Sequence, residues 1–207
     1  MLEHYYRKPA SECKCGVFRA KGYAPDFRLQ SENGQDIGLH DLPAFLRTLL
    51  VTDGTVTKSL EAYYWESVAV TGVAQEVIKA AAPITWLDAG VGCSILTRYV
   101  QLTGNSSGRI FSNAFSVIKL SLIPVDLRTQ LLDGSLGIGE LIRSCGLETY
   151  REVLEIGLTY NFTLYGHYKG HEQQCVFRTY RITLGGKPAL LVSEYFPLGL
   201  YARILGS

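Results

Sequence analysis

The sequence lacks the features by which membrane-spanning, secreted and nucleic-acid-binding proteins are usually recognised. It has no run of about 18 apolar residues, the length that a transmembrane helix needs. Its first eight residues include four charged or histidine side chains besides Met1 and Leu2, and no apolar stretch typical of a signal peptide follows the charges. The 20 basic and 19 acidic residues give a net charge of +1, which offers no reason to expect nucleic acid or a membrane surface as a partner. These absences predict a cytoplasmic protein, or one of the plastid stroma if an organelle encodes it.

Clustered cysteines and the common catalytic motifs are also missing. The five cysteines are scattered, so no disulfide framework is expected, and Cys13 and Cys15 have no second pair to complete a zinc site. The sequence contains no Walker loop and no nucleophile elbow, and the glycine cluster at residues 134–139 does not follow a strand. Glycines beside His167 and His171 disfavour the helix on which two histidines could bind a metal. The sequence therefore predicts neither a metal nor a cofactor.

What the sequence does contain is enough apolar residues for one core and a mixture of helical and strand patterns. Its 207 residues are 47% apolar, which suits a single domain. Residues 1–40 are polar and without periodicity, so we interpret them as an N-terminal extension of a domain at residues 41–207. The patterns predict helices at residues 41–50, with Asp41 as the cap, and at 124–132, and two short helices that end at residues 60 and 144. They predict strands at 67–73, 95–103, 109–120, 174–184 and 189–196. Two hairpins with helical pairs between them predict an α+β fold, an antiparallel sheet with helices on one side.

Arg98 interrupts a strand whose face is otherwise apolar. The period of two places it on one face with Leu96, Val100 and Leu102. A guanidinium in such surroundings is costly unless it meets an anion. The anion could be a ligand carboxylate bound through two hydrogen bonds, or a structural Asp or Glu, and the residues alone leave both interpretations open.

Glu194 raises the same question in the last predicted strand. It lies in one of the most apolar runs of the chain and shares a face with Leu190, Val192 and Phe196. A buried carboxyl group either pairs with a cation or has a raised pKa, and a raised pKa would suit a general acid or hydrogen-bond donor. An internal Arg98–Glu194 salt bridge without a catalytic role is the alternative. Both interpretations put the two residues on facing strands of one sheet.

Two further arginines lie on the strand that precedes Glu194. Arg178 and Arg181 are three residues apart, so their side chains point to opposite faces of the sheet. At most one of them can therefore face the same side as Glu194.

Four segments, taken in order, resemble the chorismate lyase family. They are residues 50–61, with the pattern L-x-x-D-x-x-x-T-K-x-x-E, residues 96–102, residues 135–157 and residues 178–196. The resemblance spans residues 42–201, about three quarters of the chain. It implies an antiparallel sheet of about six strands, with helical flaps closing over a buried ligand site.

The resemblance also implies an activity and a set of site residues. The implied enzyme is a cofactor-independent carbon–oxygen lyase that converts chorismate to 4-hydroxybenzoate and pyruvate. Its product would serve quinone or related biosynthesis, and the protein would be a monomer or a small homo-oligomer. Arg98 is expected to hold the ring carboxylate and Glu194 to meet the 4-hydroxyl, as the catalytic pair, while backbone groups at Val56 and Leu136 contact the ligand. Arg181 is a further candidate, for the pyruvyl carboxylate.

Two alternatives remain open from the sequence. A related fold serves as the effector-sensing module of bacterial transcription regulators, which would make this chain a binder of small carboxylates without catalysis. Residues 1–40 are too short for the winged-helix domain of those regulators and lack a helix-turn-helix pattern. The other alternative is a lyase that acts on an isomeric enolpyruvyl ether.

Overall fold

A computed structural model describes residues 1–8, 18–19, 22–23, 28–30, 36–52, 55–133, 138–144, 146, 148–159 and 174–202. Its centre is one six-stranded antiparallel sheet with the strand order β1-β2-β3-β6-β5-β4. The strands are β1 (Val68–Lys79), β2 (Ser94–Gly104), β3 (Ile110–Lys119), β4 (Thr149–Thr159), β5 (Cys175–Leu184) and β6 (Lys187–Pro197). The helices are α1 (Leu2–Tyr6), α2 (Ala44–Val51), α3 (Val56–Tyr64), α4 (Val125–Leu132), α5 (Ile138–Ser144) and α6 (Leu198–Ala202). The predicted α+β fold with a six-stranded antiparallel sheet is confirmed.

Two short strand pairs from the N-terminal part of the chain form separate two-stranded sheets. Phe18–Arg19 pairs with Gly22–Tyr23, and Arg28–Gln30 pairs with Asp36–Gly38.

No helix within the described residues has the length and hydropathy that a membrane span requires.

Most predicted elements agree with the structure to within a few residues, and two differ for identifiable reasons. Strand β1 does not end near residue 73 but continues to Lys79, because the break in the pattern is a β-bulge between Thr71 and Ala74. Gly72 supplies the positive φ of +58° at this bulge. Asp41 does not cap α2: that helix starts after Pro43, and Asp41 ends a short 3₁₀ turn in which its carboxylate pairs with His40.

The helices α2 to α5 pack on one face of the sheet in two apolar clusters. One cluster joins α2 and α3 to one end of the sheet through residues such as Leu46, Leu60 and Phe196. The other joins α4 and α5 to the opposite end through residues such as Leu131 and Leu141. Each helix buries an apolar stripe in this way, and the sheet face between the two clusters is left to line a cavity.

The opposite face of the sheet is covered by α1 and a 3₁₀ turn at Thr85–Leu87, so helical elements lie on both sides rather than on one. Five residues are too few for a helix that is stable alone, so α1 depends on its docking. Its Tyr5 is 2% exposed, and its hydroxyl lies 2.7 Å from Ser193 Oγ, which in turn lies 2.6 Å from Thr179 Oγ1. Full burial of such a side chain contributes roughly 2–3 kcal/mol.

Several described residues of the range 1–40, such as Tyr5, Leu29 and Leu39, thus pack in the same apolar clusters as residues of the sheet. Leu29 and Leu39 are buried in the same cluster as α2 and α3. The boundary at residue 41 between an extension and a domain stays a prediction.

A buried carboxylate on β4 fixes the N-terminal segment. Lys8 Nζ donates a hydrogen bond to Glu155 Oε1 at 2.6 Å, and His4 Nε2 lies 2.9 Å from Glu155 Oε2. Burial alone would raise the pKa of Glu155, but the bonds from His4 and Lys8 outweigh it and hold the pKa below its ordinary value of 4.5. The ionised carboxylate therefore stabilises the folded state.

We expect Glu155→Gln to lower the free energy of unfolding by about 1–3 kcal/mol at neutral pH, because it removes a charged acceptor from two donors. A group whose pKa is depressed on folding stabilises the protein above its unfolded pKa and loses this effect as pH falls through its folded pKa. The difference between wild type and variant in urea unfolding should therefore shrink below about pH 4.5. Glu152→Gln, which breaks a more exposed pair with Arg181, is the control and should cost about 1 kcal/mol or less. A difference that does not change with pH would contradict the assignment.

Candidate active site

A cavity of about 340 Å³ lies on the helical face of the sheet, between the two apolar clusters. This volume suits a small organic ligand. Strands β1, β2, β3, β5 and β6 form its floor, and residues of α3, α5 and β4 complete its wall. The polar lining residues are Thr55, Thr57, Lys58, Glu61, Arg98, Arg143, Arg151, Tyr180 and Glu194.

Arg98 enters the cavity from β2. The side chain is only 2% exposed, and it shares its face of the strand with Leu96, Val100 and Leu102, as the alternation predicts. Burial lowers the pKa of the Arg98 guanidinium because it removes water from the charge, although an arginine stays protonated at any physiological pH. A buried guanidinium at the wall of a cavity favours an anionic ligand.

Glu194 enters the same cavity from β6, and its ion-pair partner is Arg178. Arg178 Nε donates to Glu194 Oε2 at 2.8 Å, and both side chains are almost completely buried. Strand β3 lies between the strands of Arg98 and Glu194, so these two residues share a face but not a pair of adjacent strands. The ion-pair partner of Glu194 is thus Arg178, and not Arg98, which the sequence had left open as its partner. Of the two interpretations of a buried Glu194, pairing with a cation is the one that the structure shows.

A tyrosine completes the support of this carboxylate. The Tyr180 hydroxyl donates to Glu194 Oε1 at 3.2 Å, and the Arg178 guanidinium lies 4.9 Å from the centre of the Tyr180 ring. Burial and the neighbouring carboxylate of Glu194 raise the pKa of Tyr180, so this hydroxyl keeps its proton and remains a donor. Among the described residues each carboxylate oxygen of Glu194 has one donor, and it has further accepting capacity that a ligand hydroxyl could use.

Arg178 also connects this network to the segment before α3. Its Nη1 donates to the backbone oxygen of Thr52 at 2.7 Å. Val56, at the first turn of α3, is buried and lines the cavity together with Thr55 and Thr57. The amino end of a nine-residue helix therefore faces the cavity, where its backbone N–H groups favour negative charge.

Two of the predicted site residues are not among the described residues that line the cavity. Leu136 lies outside the described residues, although Ile138 and Gly139, which follow it, line the cavity. Arg181 lies on the opposite face of β5, where it donates to the backbone oxygen of Trp86 and pairs with Glu152. The structure therefore places Arg181 away from this cavity, because side chains three residues apart on a strand, here Arg178 and Arg181, face opposite ways.

Sequence reasoning missed several polar lining residues and the partner of Glu194. Arg143 and Arg151 line the cavity from α5 and β4, and neither stood out in the sequence because both occur in ordinary amphipathic patterns. Arg178 was recognised only as one of two arginines, of which one could face Glu194. The register of the β5–β6 hairpin decides which one does.

Comparison with protein families matches residues 50–204 to the family described as chorismate pyruvate-lyase, Rv2949c-like. A protein of Mycobacterium leprae named chorismate pyruvate-lyase is 32% identical over 154 residues, which cover 73% of each chain. A Mycobacterium tuberculosis protein of the same name is 29% identical over 158 residues, which cover 73% of this chain and 78% of that one.

Solved structures with a similar fold include PhnF from Mycobacterium smegmatis, with a TM-score of 0.54 and 15% identity. That match covers 71% of this chain and 65% of PhnF, so the chain spans less than two thirds of that longer protein. The separate effector domain of PhnF matches with a TM-score of 0.51 over 71% of this chain and 90% of the domain. At 15% identity these similarities show the fold alone.

The Arg178–Glu194 pair can be tested by its effect on stability. Arg178→Met would leave the carboxylate of Glu194 buried without its cation, so we expect a loss of about 3–5 kcal/mol in the free energy of unfolding in urea. Arg181→Met, on the same strand but in a half-exposed pair, should cost about 1 kcal/mol or less. Adding Glu194→Gln to Arg178→Met should recover part of the loss, because it removes the buried charge. Equal losses for the two single variants, or no recovery, would refute the pairing.

Proposed function

The chain belongs to the Rv2949c-like chorismate pyruvate-lyase family, and from this membership and the cavity we propose that it cleaves chorismate to 4-hydroxybenzoate and pyruvate. One observation supports the proposal most directly. The cavity has a buried guanidinium, Arg98, and a rigidly held carboxylate, Glu194, on the same face of one sheet.

The spacing of these two groups suits a ring with polar groups at opposite ends. Arg98 and Glu194 lie two strands apart, which separates their backbones by about 10 Å across the sheet. In the proposed complex Arg98 binds the ring carboxylate, and Glu194 accepts a hydrogen bond from the hydroxyl at C4. The amino end of α3 at Val56 lies beside the ligand, and Leu136 remains a proposed backbone contact.

The proposed reaction is an elimination. The C4–H and C3–O bonds break, and the electron pair of the C4–H bond forms the third double bond of the ring. The side chain leaves as enolpyruvate, which takes up a proton at its methylene carbon to become pyruvate. Formation of an aromatic ring supplies most of the driving force, so the protein mainly has to orient and desolvate the substrate.

This chemistry also supports the proposal that no cofactor takes part. The elimination is redox-neutral, and its leaving group departs as an enol that becomes a stable ketone. Orientation of the substrate by Arg98 and Glu194 therefore supplies what the reaction requires of the protein. Use of the 4-hydroxybenzoate in quinone biosynthesis, a cytoplasmic or plastid location and a monomeric or small homo-oligomeric state stay predictions.

An effector-sensing module remains the alternative, and it would use the same cavity without catalysis. Pure folded protein should convert chorismate to equal amounts of 4-hydroxybenzoate and pyruvate, as measured by chromatography of both products. Binding of 4-hydroxybenzoate without any turnover would exclude the lyase and support the module. An aromatic product of different mass or retention would instead point to an isomeric enolpyruvyl ether as the substrate.

The roles of the two central residues predict different effects on product binding. Arg98→Gln should raise the Kd of 4-hydroxybenzoate roughly 10- to 100-fold, because it removes a charge-assisted contact to the carboxylate. Glu194→Gln keeps the shape of the side chain but loses the charge, so it should weaken 4-hydroxybenzoate less and lower kcat more. Arg181→Gln, on the opposite face of the sheet, is the control for both. An unchanged Kd in Arg98→Gln would remove Arg98 from the site.

A further inference from the structure

Among the described residues that line the cavity, cations outnumber carboxylates. Among the described lining residues there are four cations, Lys58, Arg98, Arg143 and Arg151, and two carboxylates, Glu61 and Glu194. Each of these carboxylates is already bonded to a cation. Lys58 Nζ donates to Glu61 Oε2 at 2.7 Å, and Arg178, which lies behind the cavity wall, donates to Glu194.

The three arginines that line the cavity lie at two opposite sides of it. Arg98 lies on β2, whereas Arg151 lies on β4 and Arg143 on α5. Four strand spacings separate β2 from β4, about 19 Å along the sheet, and Glu194 and Tyr180 lie on the two strands β6 and β5 between them. The cavity thus has a cationic group at each side and a hydrogen-bonding carboxylate between them.

Arg151 is a diagonal neighbour of Tyr180 on the adjacent strand, because Arg151 lies opposite Ile182 and Val153 lies opposite Tyr180. Burial raises the pKa of Tyr180, and the charges of Arg178 and Arg151 partly oppose that increase. Arg151 is half-buried and Arg143 is exposed, so this side of the cavity leads from the interior toward solvent. Lys58 is the less suitable cation, since its side chain is 71% exposed and bound to Glu61.

Chorismate carries two carboxylates, one on the ring and one on the enolpyruvyl side chain. If Arg98 binds the first, the second needs another cation inside or at the mouth of the cavity. We propose that Arg151, with Arg143 on its solvent side, forms a second anion subsite that binds the carboxylate of the enolpyruvyl side chain. This inference rests on the proposed function. It assigns to Arg151, at the opposite end of the cavity from Arg98, the role that was first expected of Arg181.

The subsite distinguishes the substrate from its aromatic product. 4-Hydroxybenzoate has the ring carboxylate and the hydroxyl but no side-chain carboxylate, so it contacts Arg98 and Glu194 and not Arg151. A change at Arg151 should therefore affect ligands that carry the side chain far more than 4-hydroxybenzoate, which Arg151 does not contact in the proposed complex. A change at Arg98 should affect both kinds of ligand.

The test compares two stable probes by calorimetry. One is 4-hydroxybenzoate, and the other is 3-(1-carboxyethoxy)-4-hydroxybenzoate, which adds a carboxylate on an ether at the position of the side chain. Arg151→Gln should raise the Kd of the dicarboxylate roughly 10- to 100-fold and leave that of 4-hydroxybenzoate within about 2-fold. Arg143→Gln, at an exposed position, should give the same selectivity with a smaller change, and Arg181→Gln should change neither Kd.

The outcomes separate this inference from the proposed function. Equal weakening of both probes by Arg151→Gln, or no weakening of the dicarboxylate by either variant, would overturn the subsite. If Arg151→Gln does not fold, the selectivity of Arg143→Gln alone decides. A wild-type protein that fails to convert chorismate would refute the proposed reaction, yet the two probes would still test the subsite, because neither requires turnover.

Discussion

A carboxylate inside an apolar sheet must be paired, and the arrangement of the cavity follows from how this chain pairs Glu194. The buried guanidinium of Arg178 bonds to that carboxylate and also to the backbone oxygen of Thr52, just ahead of α3. One ion pair therefore joins the floor of the cavity to the helix whose amino end forms part of its wall. Because both groups are almost fully buried, loss of either would leave an uncompensated charge, which costs more than the pair itself contributes.

The strand that carries Glu194 is supported from both faces. Glu194 points into the cavity, while its neighbour Ser193 points to the other face and meets Tyr5 and Thr179 there. The short helix α1 thus packs directly behind the central residue of the candidate site. A group held to the accuracy that catalysis requires needs such support, since its orientation is only as fixed as the backbone that carries it. The N-terminal segment, which the sequence suggested was peripheral, lies against this strand.

Alternation along the strands was enough to predict the sheet and to place Arg98 and Glu194 as buried charges on an apolar face. It could not predict the partner of Glu194, because that depends on one residue of register. The β5–β6 hairpin begins with Lys187 opposite Leu184, and a bulge between Pro188 and Leu190 shifts the pairing so that Arg178 comes to face Glu194. A shift of one residue exchanges the two faces of a strand, so the choice between Arg178 and Arg181 required the bulge to be known. Likewise Arg151 became visible as a lining residue only once β4 was placed at the edge of the sheet.

In the proposed reaction, little separates a cavity that binds its ligand from one that catalyses. An elimination that produces an aromatic ring needs no strong base or electrophile from the protein, and orientation in a water-poor site supplies much of the barrier reduction. In the proposed complex, a carboxylate bound by Arg98 and a hydroxyl bonded to the pre-oriented Glu194 would provide that orientation. What such a cavity must add is a means of holding the leaving side chain in line with the bond that breaks. A cation at the far side of the cavity, fixed on β4, would do so by binding the one charged group that the side chain possesses.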